Sequence, residues 1–283
     1  MTQVSTGSSG EFPHWTIYTG AAANYQATRP DYPHVAANWI VKALPPSRAP
    51  GLAIDVGCGT GIFTRRIAGA LRKADRILGI EPNVDMRHQA ISASALHANI
   101  EIVAGCSEAL PVRDGAAVLV TAASAAHWFD LPTFYHEVAR VLSVNGVIAV
   151  VQNKRRWWDS SFLEAYEGFH EKFVPGYCRG TFPDRSGGFA VERFASDLTA
   201  HSDFQDVREA SWNWQRTLTK SQFESLSLST SHTRRAVANC GEAVVMKELR
   251  DILDLFASSK GWLNVPYVTE ITRAKRSSNP ETH

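Results

Sequence analysis

The chain has 283 residues, 44% hydrophobic and 20% charged, which is ordinary for a globular protein and long enough to bury a core without disulfides or metal. Lys plus Arg is 29 against 28 for Asp plus Glu, and the net charge of +1 excludes the basic bias by which proteins neutralise nucleic-acid phosphates. No apolar run approaches the ~20 residues that span a bilayer, and residues 1–11 lack the charged-then-apolar order of a signal peptide. The expected setting is cytoplasmic, and the expected partner is a small molecule rather than nucleic acid or membrane. Cys58, Cys106, Cys178 and Cys240 form no C-x-x-C pair, so neither a metal site nor a disulfide is expected.

Residues 1–50 read as a disordered tip followed by a helical cap, with helices at 21–25 and 34–44 separated by Pro30 and Pro33. Pro45, Pro46 and Pro50 then form a linker. A strand is expected at 52–56, followed by a helix in which Ile62, Phe63, Ile67, Ala70 and Leu71 recur at helical spacing. A second strand at 76–80 ends in Glu81-Pro82, and a helix covers 85–96. Strands follow at 100–103 and 118–122. An amphipathic helix covers 131–142, with Phe134, Val138, Val141 and Leu142 on one face; Asn145-Gly146 stops it before a strand at 147–151. Continuous apolar strands alternating with helices imply a parallel sheet covered on both faces, hence an α/β core at 51–151. Residues 152–204 read as a helical, irregular insertion over the substrate. Residues 205–283 complete the sheet, with strands at 207–218 and 265–274 around a helical stretch at 221–256.

The informative segment is Asp55-Val56-Gly57-Cys58-Gly59-Thr60-Gly61, after a strand and opening a helix. A dinucleotide fingerprint needs a small residue where Ile62 stands. Asp55 would repel a pyrophosphate but suits a cationic ligand. Glu81, at the end of the second strand, can accept both hydroxyls of a ribose. A ligand with a ribose and a positive charge, and no phosphate, is S-adenosylmethionine. The loop with its downstream acid resembles that of the class I S-adenosylmethionine-dependent methyltransferases. Further likeness lies in Gly105 to Pro111 (G-C-S-E-A-L-P), in His127-Trp128-Phe129-Asp130, and in Tyr25, Arg29, Pro30, Tyr32 and Pro33. Those segments and residues 265–275 resemble the type 11 subgroup, similar to trans-aconitate methyltransferase. The resemblance covers 1–155 and the last strand; residues 155–260 match loosely.

The resemblance implies a Rossmann-like, doubly wound, mostly parallel seven-stranded sheet with an N-terminal helical cap and a helical insertion before the last strands. It places Asp55, Gly57, Gly59 and Gly61 along the methionine part of the cofactor, with Cys58 a small loop residue rather than a nucleophile. Glu81 would bind the ribose, with Pro82 and Asn83 beside the adenine and Cys106, Ser107 and Glu108 flanking its ring. Ser124 would sit near the sulfonium, and Tyr25 and Arg29 would close over the cofactor, Arg29 toward its carboxylate. His127 is the candidate general base. Tyr18, Trp157, Trp158 and His232 are candidates for the substrate wall. Arg155 and Arg156 read as a solvated charge cluster, although Arg155 or Arg179 would supply a clamp for an acidic substrate. Phe162, Tyr166, Phe169, Phe173, Tyr177 and Phe182 form an aromatic set suited to an apolar pocket.

Residues 121–126 lack the Asn-Pro-Pro-Tyr motif of enzymes that methylate bases or protein amides. The expected activity is methyl transfer to a small apolar or aromatic metabolite of specialised biosynthesis, by a monomer or homodimer. Alternatives are a carboxyl O-methyltransferase and a methylation-coupled or cofactor-assisted cyclase.

Overall fold

Continuous apolar runs build the sheet. The computed structural model describes residues 14–46, 49–184, 186 and 188–278. A 3-10 turn (His14–Tyr18), α1 (Ala22–Thr28) and α2 (His34–Val41) form the cap. The core follows as β1 (Leu52–Val56), α3 (Ile62–Ala68), β2 (Arg76–Ile80), α4 (Val84–Ala93), β3 (Ile100–Val103), β4 (Ala117–Ala123), α5 (Leu131–Val141) and β5 (Leu142–Arg155). Then come α6 (Ser161–Phe173), the small hairpin β6 (Phe182–Pro183) and β7 (Phe189–Ala190), α7 (Phe194–Ala200) and β8 (Phe204–Thr219). Helices α8 (Lys220–Leu228), α9 (Ser231–Cys240) and α10 (Glu242–Phe256) precede β9 (Trp262–Arg276).

The seven-stranded sheet has the order β3-β2-β1-β4-β5-β9-β8. Strands β1 to β5 are parallel, and β9 is antiparallel to both β5 and β8. This is the expected Rossmann-like class. The strand order reverses between β1 and β4, and the crevice at their carboxyl ends is where such sheets bind ligands. One sheet face packs around Ile54, Phe134, Ile148 and Leu198, the other around Ile40, Phe63, Ile67 and Val147. A third core, around Tyr166, Phe223, Leu249 and Val265, joins α6 to α8, α9 and α10 in one helical lobe. No described helix is long and apolar enough to cross a membrane.

Strand β5 is longer than its expected span. Asn145, at φ 61°, does not end a helix but sits in a bulge, where Ala117 pairs with Leu142 and Leu119 with Val147. At its other end β5 continues to Arg155 because β9 pairs with it that far, Arg155 opposite Tyr267. Strands β8 and β9 likewise outrun their expected ends and pair as far as Thr219 opposite Trp262, an arm that carries the helical lobe.

Candidate cofactor and acceptor site

The chain leaves β1 through a turn that only glycine makes cheaply. Gly57 and Gly59 hold φ of 65° and 56°. A Cβ on Gly57 would lie 2.8 Å from Ala125 Cβ, whereas one on Gly59 would meet nothing within 4 Å. The first glycine thus packs against protein, and the second leaves the loop open to a ligand. Backbone bonds fix the loop: Gly57 and Cys58 N–H donate to Ile80 O at 2.9 and 3.1 Å. Gly59 N–H donates to Glu81 Oε2 at 2.8 Å, and Asn83 N–H to Oε1 at 2.9 Å. Each carboxylate oxygen keeps a further lone pair for a hydroxyl. Burial raises the Glu81 pKa, partly opposed by those two bonds. Asp55 accepts from Thr64 and Thr121 at 2.6 and 2.8 Å, and burial pushes its carboxyl up to about 6.

The loop faces a cavity of about 1140 Å³, mouth included. A second, of about 1040 Å³, borders the helical lobe. Tyr18, Tyr25, Arg29, Pro30, Ser124 and Asn153 line both, so the two meet at the carboxyl end of β4. Ser124, just past that strand, has φ 49° and donates its N–H to Val151 O at 2.8 Å. Arg29 lies 4.6 Å over the Tyr25 ring and donates from Nη2 to Ser229 O at 3.0 Å, tying the cap to the helical lobe.

A methyltransferase-domain family model matches residues 54–150. An uncharacterised methyltransferase-like protein of Schizosaccharomyces pombe is 31% identical over 181 residues, 62% of this chain and 67% of the relative. The chain belongs to the S-adenosylmethionine-dependent methyltransferases. An uncharacterised Mycobacterium tuberculosis methyltransferase is 27% identical over 262 residues, 91% of this chain and 94% of the relative. A match to a Dictyostelium discoideum methyltransferase is shorter, 36% identical over 99 residues and 35% of either chain. Among solved structures, one described as a type II methyltransferase from Anaeromyxobacter dehalogenans shares the fold. Its TM-score is 0.64 at 20% identity, covering 89% of this chain and 99% of that one.

The residues of this methyltransferase fit the cofactor. Arg29 Nε is buried without a hydrogen-bond partner, a donor suited to a carboxylate, and Glu81 offers paired acceptors for a ribose. All the expected cofactor residues line the first cavity except two. Gly61 turns the chain at φ 77°, where a Cβ would press on Arg65 Nη1 at 2.9 Å. Asn83 caps α4, accepting from Asp85 and Met86 N–H at 3.0 Å, and donates to Trp15 O at 3.1 Å and Thr19 Oγ1 at 3.2 Å. It therefore pins the 3-10 turn over the site instead of touching the wall. Trp128 and Phe129 of the His127–Asp130 segment also line this cavity, as do Trp15 and Met86, which no motif in the sequence marks.

His127, Tyr18, Trp157, Trp158 and His232 come together in the second cavity, although the two histidines lie 105 positions apart in the chain. The His127 ring packs 5.5 Å from Phe182, and its Nδ1 lies 3.8 Å from Glu192 Oε1. His232 sits among His170, Tyr177 and Phe189, and burial with nearby Arg155 lowers its pKa to about 3, leaving it neutral at physiological pH.

Three sequence expectations need correction. Arg155 is not solvated: it lies in the cavity wall, 4.8 Å over the Tyr166 ring and 4.0 Å from Glu167 Oε1, while Arg156 pairs with Asp159. Arg179 pairs with Glu171 and Glu164 and does not line the cavity, so it is no clamp. Phe162, Tyr166, Phe169 and Phe173 fill the lobe core because the apolar face of α6 turns onto α8–α10; only Tyr177 and Phe182 of that set reach the wall. Gln152, Asn153 and Lys154 reach it because β5 runs on past its apolar stretch, and only long-range pairing reveals that.

Proposed function

We propose that this methyltransferase methylates a small aromatic metabolite held in the second cavity. The observation that carries the reading is a chamber walled by Tyr18, Tyr25, Trp157, Trp158, Tyr177, Phe182 and Tyr267 that opens onto the first cavity at Ser124. Flat rings suit a flat acceptor, and the meeting point sets it against the donor. When bound, S-adenosylmethionine supplies an electrophilic methyl group on its sulfonium. The chain's own part is to orient and to exclude water. Glu81 and the loop after β1 hold the donor, and Tyr18 and Tyr25 border both chambers. Arg155 already faces Glu167, which supports a neutral aromatic acceptor over the carboxyl alternative.

The test is transfer of labelled methyl to a panel of aromatic small molecules and a matched panel of aliphatic acids. Label in the aromatic set supports the reading, and Trp157→Ala should then raise KM while cofactor affinity stays unchanged. Label confined to the acids overturns it.

A further inference from the structure

We infer that Arg29 couples the two chambers: by holding the donor's carboxylate it fixes the turn between α8 and α9, so that the donor binds first and completes the wall that receives the acceptor. The inference rests on the donor reading of the first cavity and the acceptor reading of the second. It makes Arg29 a positioning residue for the acceptor as well as a donor contact.

The chain around α1 is bonded to both halves of the site. On the donor side, Gly20 N–H donates to Asp85 Oδ2 on α4 at 2.8 Å, and Arg65 Nη2 on α3 donates to Gln26 Oε1 at 3.3 Å. On the acceptor side, Asn24 Nδ2 donates to Ser225 O on α8 at 3.0 Å, and Arg216 Nη1 on β8 donates to Thr28 O at 2.8 Å. The bond from Arg29 Nη2 to Ser229 O, at 3.0 Å, differs from these four. Arg29 lines both cavities, and none of the other eight residues lines either. Of the five bonds, it is therefore the one that a bound molecule reaches directly.

Arg29 Nε is buried and has no hydrogen-bond partner. A buried donor left unmet is costly, and a carboxylate meets it with a charge-assisted bond. The guanidinium is one rigid plane, so the oxygen that satisfies Nε also sets Nη2 and, through it, Ser229 O. Ser229 lies in the short turn between α8 and α9, and acceptor wall flanks it on both sides. Leu226 precedes it, and Thr230, Ser231 and His232 follow, all four lining the second cavity. Thr230 also caps α9, accepting from Thr233 N–H at 3.2 Å, so a shift of the turn carries the start of that helix with it.

Amide hydrogen exchange of the full chain tests the coupling with no acceptor present. Two ligands are compared at saturation: S-adenosylhomocysteine, and its decarboxylated analogue, which keeps the adenosine and the amine. Both should slow exchange at residues 57–61, the sign that each is bound. S-adenosylhomocysteine alone should also slow residues 225–235, by about 5-fold or more. Arg29→Lys keeps the charge but not the planar fork. With S-adenosylhomocysteine saturating, it should retain the slowing at 57–61 and lose it at 225–235. Equal slowing at 225–235 by the two ligands, or slowing there by neither, overturns the coupling, and so does full slowing there in Arg29→Lys. If Arg29→Lys does not fold, the comparison of the two ligands on the unaltered chain decides. No slowing at 57–61 by either ligand overturns the donor site and the coupling with it. The acceptor panels above judge the aromatic reading separately.

Discussion

Tyr32 donates its hydroxyl hydrogen to Ser124 Oγ at 3.0 Å, and through that bond the cap helix region steadies the residue at which the two cavities meet. Burial raises the Tyr32 pKa well above the usual phenol range, so the group stays a donor at any working pH. Tyr32→Phe keeps the edge contact with Phe63 but loses the bond. The expected cost is about 1 kcal/mol by denaturant unfolding, with kcat falling more than cofactor affinity.

Glu81 takes two backbone N–H groups on its two oxygens. Glu81→Gln turns one acceptor into a donor that faces an N–H. Calorimetric titration with S-adenosylhomocysteine should show a Kd raised about 10- to 100-fold, roughly 1.4–2.8 kcal/mol.

Two glycines with nearly equal φ separate strain from collision. Gly57 (φ 65°) faces Ala125 at 2.8 Å, while Gly115 (φ 63°) faces nothing within 4 Å. Gly115→Ala should cost only the left-handed strain, about 1–2 kcal/mol. Gly57→Ala should cost more in denaturant unfolding and should alone abolish cofactor binding.

Asp55, held up at about 6 by burial, should make cofactor binding pH-dependent. Its ionised form favours the positively charged donor, and below pH 6 the carboxyl is mostly protonated before binding. Affinity should therefore be flat above about pH 7 and weaken as pH falls through 6, approaching tenfold per unit where the coupling is complete. Asp55→Asn should flatten that slope in calorimetric titrations from pH 5 to 8.

Leu249 is fully buried in the helical lobe. Leu249→Ala should cost about 2–5 kcal/mol by denaturant unfolding. In the folded fraction, cofactor affinity should hold while acceptor KM rises.

The parts legible in the sequence are local ones. Strands β1 to β3 fall on the residues expected because each apolar run ends at its own turn signals. The loop from Asp55 to Gly61 is legible because the backbone there permits few residues other than glycine. What stayed hidden depends on distant chain. Arg155 reads as part of a solvated cluster with Arg156 until β9 draws it into the sheet and Glu167 meets it. Glu192 carries no motif, and its place beside His127 comes from the hairpin alone. The aromatic run of α6 reads as a pocket wall, and packing against α8–α10 makes it core instead.

The helical lobe packs as a core separate from the two that sandwich the sheet, and it stands on the projecting ends of β8 and β9. Changes in α6 and α8–α10 should therefore reshape the proposed acceptor chamber without disturbing the glycine turn after β1. Grip on the methyl source and choice of what receives it would thus be separable along a single polypeptide, with the Arg29 bond to Ser229 O joining the two parts.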